Sequence, residues 1–111
     1  MLERMGVGWL EEPFPAHDHR SYRVAAAGTS VPLACGENVY TRFEFERVLA
    51  DGAVSVLQPD LPKAGGVTEV MRVASLASAW RIPIHPHTSM SALNMAATVH
   101  LLCAVDGPCY R

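Results

Sequence analysis

Four times along the chain, a short apolar run ends in a polar cluster and a stretch of helical spacing follows. The runs are Val7-Gly8-Trp9-Leu10 before Glu11-Glu12-Pro13, and Val31-Pro32-Leu33-Ala34-Cys35 before Gly36-Glu37-Asn38. Val54-Ser55-Val56-Leu57 then precedes Gln58-Pro59-Asp60, and Ile82-Pro83-Ile84 precedes His85-Pro86-His87. Each run is too short for a helix and reads as a buried strand. The period is roughly 25 residues, a tight βα unit. Strands that alternate with helices through short loops run parallel, joined by right-handed crossovers. The fold class is therefore α/β with about four parallel strands, as an open doubly wound sheet or as part of a (β/α)8 TIM-type barrel. No Gly-x-Gly-x-x-Gly follows a strand, which weakens the dinucleotide-binding version of the open sheet.

The intervening segments carry helix signals. The Ala-rich stretch from Asp18 to Ala27 predicts a helix stopped by Gly28. His17-Asp18-His19 could suggest a metal site, but it reads rather as a solvated loop with Asp18 as the expected N-cap. Thr41 is the expected cap of the next helix, with Glu44 three residues on completing a capping box. That helix should run to about Asp51 and end at Gly52. Val67, Val70, Met71, Ala74 and Ala77 form an apolar face at helical spacing. A last helix is expected from about Ser89 to Cys103, with Leu93, Ala97 and Leu101 on one side. Residues 106–111 read as an untethered end.

Composition narrows the classes of function. Half the residues are hydrophobic and 18% are charged, a globular balance. At 111 residues the chain is one domain at most. The net charge is -2 with no basic stripe, which argues against a nucleic-acid partner. No run of ~18 apolar residues suggests a membrane span, and the first residues lack a signal peptide's apolar region. The cysteines, Cys35, Cys103 and Cys109, are odd in number and form no Cys-x-x-Cys pair, so a reduced, cytoplasmic protein is expected. Cys35 reads as a small buried hydrophobe.

In either architecture ligands bind at the carboxyl ends of the strands. Those ends carry Glu11, Glu12, Glu37, Asp60 and His87. Carboxylates on neighbouring strands repel unless a cation lies between them. Hard oxygen donors with few cysteines favour Mg2+ over zinc. A histidine oriented by an aspartate is a sound acid/base near neutral pH. Glu12 reads as a structural carboxylate. His85 is expected to point away from His87 and to be structural. Lys63 is either a surface residue or an electrostatic partner of the carboxylates.

Taken together, Trp9-Leu-Glu-Glu-Pro13, Gly36-Glu37, Gln58-Pro-Asp-Leu-Pro-Lys-Ala-Gly-Gly-Val-Thr68 and Ile82-Pro-Ile-His-Pro-His87 resemble, in order and spacing, the fourth to seventh strands of a mandelate-racemase-type enolase-superfamily barrel. The resemblance runs from about Gly8 to Val105. It implies that Glu11 and Glu37 are two of the Mg2+ ligands, that His87 is the catalytic base or acid, and that Asp60 hydrogen-bonds it. Sites of this superfamily pair a His or Lys base with Mg2+, which stabilises the enediolate formed when a carboxylate substrate loses its α-proton. Muconate-lactonising-type relatives place a lysine where Asp60 stands, so the resemblance lies with the mandelate-racemase subgroup. Gly36-Glu-Asn-Val-Tyr-Thr-Arg-Phe43 is most similar to acid-sugar dehydratases, which implies a small sugar acid as substrate; a racemase or epimerase is the alternative. The family's first Mg2+ ligand, its second-strand base and its N-terminal capping domain have no counterpart in these residues. The sequence is therefore expected to be a partial barrel domain over 1–111, inactive alone, with a non-catalytic truncated or pseudogene fragment as the alternative. A half barrel exposes strand edges, so self-association to a homo-oligomer is also expected.

Overall fold

The computed structural model describes residues 1–89 and 91–105 of the chain. The expected untethered end at 106–111, with Cys109, lies outside the described residues. A 3-10 turn at Glu3–Met5 leads into β1 (Leu10–Glu11), then α1 (His19–Gly28), β2 (Leu33–Cys35), α2 (Thr41–Ala50) and β3 (Val56–Leu57). A short α3 (Leu61–Ala64), α4 (Val67–Ala79) and α5 (Ala92–Ala104) complete the order.

The three strands form one parallel sheet in the order β1-β2-β3. Leu10 pairs with Leu33 and Ala34 with Val56. The ladder continues past the strand ends, with Glu12 N donating to Ala34 O at 2.9 Å and Gln58 N to Cys35 O at 2.8 Å. Register is thus fixed up to the strand-end residues expected to form the site. The fourth apolar run lies parallel to β3 but forms isolated bridges, Leu57 with Ile84 and Asp60 with His87, rather than the strand expected of it. Proline is the reason. Leu57 N donates to Pro83 O, and His85 N and His87 N donate back to Leu57 O and Pro59 O. Pro59 has no N–H to give His85 O, which breaks the ladder between the two bridges, and Pro83 has none to extend it upstream.

Apolar side chains from the strands meet those of the helices in a single core. Leu33, Leu57 and Ile84 of the sheet are fully buried with Phe45 of α2, Val70 and Val73 of α4 and Leu101 of α5. Helix α4 packs against both α2 and α5. Its buried side is Val70, Val73, Ala74 and Ala77, with Val67 left half exposed.

The helix ends show where local signals held and where they failed. Asp18 caps α1 as expected, its Oδ1 accepting from Ser21 N at 3.1 Å. Gly65 ends α3 and Gly66 opens α4. Thr41 does not cap α2: Tyr40 is the cap residue, and Thr41, with φ of 57°, sits in the left-handed region. Glu44 still makes its half of the box, accepting from Tyr40 N at 2.8 Å. The missing acceptor is supplied from α4, where Glu69 Oε1 takes the Arg42 N–H at 2.9 Å. Glu69 also holds the Arg42 and Arg72 guanidiniums, at 2.7 and 3.0 Å. The Arg42 backbone donor leads the effects that hold its carboxyl below the usual range; burial opposes the shift, and the two arginines reinforce it.

Helix α5 departs most from its expected form. It begins at Ala92, capped by Ser91, three residues later than the sequence suggests. Its buried positions are Asn94, Thr98 and Leu101, whereas Leu93 is 82% exposed. The inward side of this helix is half polar, and an apolar count cannot find it.

Candidate functional site

Asp60 is the anchor of the strand-end cluster. It lies one turn beyond β3, fully buried, and caps α3 with Oδ1 accepting from Lys63 N at 3.2 Å. An ionised carboxylate is costly to bury unless donors surround it. His87 Nδ1 and Asn94 Nδ2 meet its Oδ2 at 3.0 and 3.2 Å. The Asp60–His87 backbone bridge brings the two side chains side by side, so sheet pairing itself assembles the dyad.

The other ring nitrogen of His87 faces Glu37: Nε2 lies 3.0 Å from Oε2. Glu37 Oε1 is 3.4 Å from Lys63 Nζ and 3.1 Å from Asn38 Nδ2. Lys63 is thus an electrostatic partner of the carboxylates, the second of its two sequence readings. Glu37, Asp60 and His87 form one connected group. Glu11 stands apart from it, at the end of β1, and accepts from Gln58 Nε2 at 2.9 Å. The Gln58 side chain is buried and its Oε1 meets no donor among the described residues.

Glu12 is structural, as expected: it takes Gly36 N at 3.3 Å and Asn38 Nδ2 at 2.8 Å, tying the end of β1 to the loop after β2. His17-Asp18-His19 forms no metal cluster, and His19 instead pairs with Asp51 of the loop after α2. His85 does not point away from His87. Residues two apart on an extended chain share a side, and both histidines line one open cleft of about 400 Å³ with Trp9, Glu11 and Gln58. The Trp9 and His85 rings sit 5.5 Å apart across it. A larger cleft of about 490 Å³ opens on the far side of Glu12, beside His17, His19 and Arg47. Its Glu44 is already spent on the α2 cap.

Cys35, at the end of β2, is buried as expected. Burial, and then the charge of Glu12, push its thiol up to about 12.

Mg2+ demands near-octahedral oxygen coordination. Glu11 and Glu37 are donors of the right hardness, but the Glu37 oxygens are engaged by His87, Lys63 and Asn38. Among the described residues no group of three or more His, Cys, Asp or Glu side chains converges to hold an ion. These residues do not make up a complete Mg2+ site.

Three neighbours of the dyad escape a sequence reading: Gln58, Asn94 and Thr98. Asn94 follows Ser91 at cap spacing and Thr98 follows Asn94 by one helical turn, which is the signal that could have placed them on one buried side.

The sequence matches the family described as Enolase C-terminal domain-like over residues 1–111. D-galactonate dehydratase of Verminephrobacter eiseniae is 42% identical over 100 residues, which is 90% of this chain and 26% of that protein. The chain spans about a quarter of the length of such curated relatives. Among solved structures, an enolase-superfamily member from Polaromonas sp. JS666 superposes with a TM-score of 0.92 at 56% identity, over 95% of this chain and 28% of that one. The 3,6-anhydro-D-galactonate cycloisomerase of Zobellia galactanivorans superposes at 0.90 with 33% identity, over 95% and 30%. No helix among the described residues is long and apolar enough to cross a membrane.

Proposed function

The chain belongs to the enolase C-terminal domain-like family, and from that premise we propose that it carries the proton-transfer side of an acid-sugar dehydratase. The observation that supports this reading is the Asp60–His87 hydrogen bond of 3.0 Å, made by a fully buried carboxylate. A buried aspartate on Nδ1 fixes the ring's orientation and tautomer, and stabilises the imidazolium once the ring takes a proton. His87 Nε2 is then the atom that removes the α-proton of a small sugar acid and later moves a proton toward the leaving hydroxyl. The open cleft beside Trp9, Glu11 and Gln58 leads to that nitrogen. Glu37 Oε2 covers it at 3.0 Å, so Glu37 turns aside for substrate to enter.

Glu11 and Glu37 are proposed as two Mg2+ ligands of the working enzyme. With only these two, the 111-residue chain is proposed to bind Mg2+ weakly and to be inactive by itself. Titration calorimetry checks the first statement, and tight binding by the isolated chain would overturn it. D-galactonate leads the substrate screen because the curated relatives carry the name D-galactonate dehydratase. In a protein of the relatives' length that contains this segment, we expect dehydration and deuterium exchange at the α-carbon in D2O. His87→Asn should abolish the exchange; unchanged exchange would rule out the role given to His87.

A further inference from the structure

We propose that Asn94 is a positioning residue for the dyad, acting on His87 through Asp60. The inference rests on the reading of Asp60 and His87 as an acid/base pair. The carboxylate of Asp60 is held from three elements: Lys63 N of α3 on Oδ1, and His87 and Asn94 of α5 together on Oδ2. Without Asn94, Oδ2 would be held by His87 alone, and only the Lys63 N–H on Oδ1 would resist turning of the carboxylate about its Cβ–Cγ bond. The dyad would then keep one external reference, Lys63 N, in place of two.

The amide is set as tightly as the group it holds. Asn94 is 4% exposed, and Ser91 Oγ takes its backbone N–H at 3.2 Å. Thr98 Oγ1, also buried, donates to Asn94 Oδ1 at 3.4 Å. The carboxylate gives the amide its sense, with the NH2 group facing it, and Thr98 Oγ1, able to donate, secures the oxygen on the other side. An ionised carboxylate only accepts, so the reverse orientation would set two acceptors against each other. A helix side built only for packing would carry leucine here, as a buried amide is tolerated only with its partners in place. The partners of Asn94 lead to the catalytic pair on one side and to Thr98 on the other.

The test reads the His87 ring rather than turnover. The solvent exchange of its Hδ1 proton and the ring 15N shifts would be recorded by NMR on the 111-residue chain at one fixed pH. The wild-type chain should show a protected Hδ1 proton with Nδ1 in its protonated form. In Asn94→Leu that exchange should accelerate by about tenfold or more, the scale of one lost charge-assisted hydrogen bond. The Nδ1 shift should move toward a tautomer average. Thr98→Val leaves Asn94 in place and frees only its orientation, so a smaller change of the same sign is expected. If both variants melt as folded proteins with wild-type protection, Asn94 serves packing alone and the proposal falls. Should Asn94→Leu fail to fold, Thr98→Val decides: faster exchange supports the proposal, and wild-type exchange overturns it. A responsive Hδ1 with no α-carbon exchange in the longer protein would refute the dehydratase reading and leave the positioning intact.

Discussion

Gly36 is where the two central strands come closest at the site, and replacing it by alanine gives the sharpest test of the packing described above. A Cβ built there would lie 2.6 Å from both the backbone C and N of Gln58 and 2.9 Å from its O. Those are main-chain atoms of the neighbouring strand end and cannot rotate away. The 2.8 Å bond from Gln58 N to Cys35 O spans the same gap, so relief requires separating β2 from β3 just before Glu37 and Asp60. Forcing a methyl into a filled space costs about 1–3 kcal/mol. The φ of Gly36, 149°, also lies where an L side chain is strained, for about 1–2 kcal/mol more. The sum, about 2–5 kcal/mol, is a large part of the 5–15 kcal/mol that holds a typical domain. Gly52→Ala is the control, since Gly52 also has positive φ but nothing within 4 Å of its Cβ position. Urea melts should show Gly52→Ala losing about 1–2 kcal/mol and Gly36→Ala clearly more. Equal losses would refute the claim that close strand approach, rather than backbone strain, fixes glycine at this position.

Three further outcomes are expected. On α5, Leu101→Ala should cost about 2–5 kcal/mol and the exposed Leu93→Ala under about 0.5 kcal/mol, as read from thermal melts; comparable losses would contradict the orientation of the helix. In peptide mapping after iodoacetamide, Cys103 should be alkylated in the folded chain and Cys35 only after unfolding, because burial raises the Cys35 thiol to about 12; early labelling of Cys35 would show that β2 opens. The Glu69 carboxyl is held low, so its stabilising effect is complete above the ordinary value of 4.5 and is lost as pH falls through the folded value. Acid melts of Glu69→Gln should therefore be flatter below that point than wild type, and parallel curves would exclude Glu69 as the tie between α2 and α4.

Most of what was legible in the sequence came from features local in the chain. The first three apolar runs end as strands within a few residues of their expected places, and Asp18 announced α1 because a cap acts three residues away. Asp60 and His87 were legible because parallel pairing carries both to one end of the sheet. The α2 start was not: its acceptor, Glu69, comes from 27 residues further along, and no local pattern encodes that distance. Helix α5 was misjudged because its buried Asn94 and Thr98 bond to Asp60 and to each other, polar contacts that an apolar period cannot register. His85 was a plain error of parity, since it shares its side of an extended chain with His87.

Proline interrupts the fourth run twice, and the interruptions face opposite ways. Pro83, His85 and His87 turn their backbone groups toward β3, so Ile84 and Pro86 turn theirs outward. The lost donor of Pro86 therefore falls on the outer rim, between the N–H groups of Ile84 and Thr88. A rim with that gap discriminates between visitors. A second copy of the same rim would bring a second gap to the pairing, whereas a strand with an N–H at every position brings none. Association through this side of the sheet should thus favour an unlike strand over its own twin, a preference written into the chain by one imino acid.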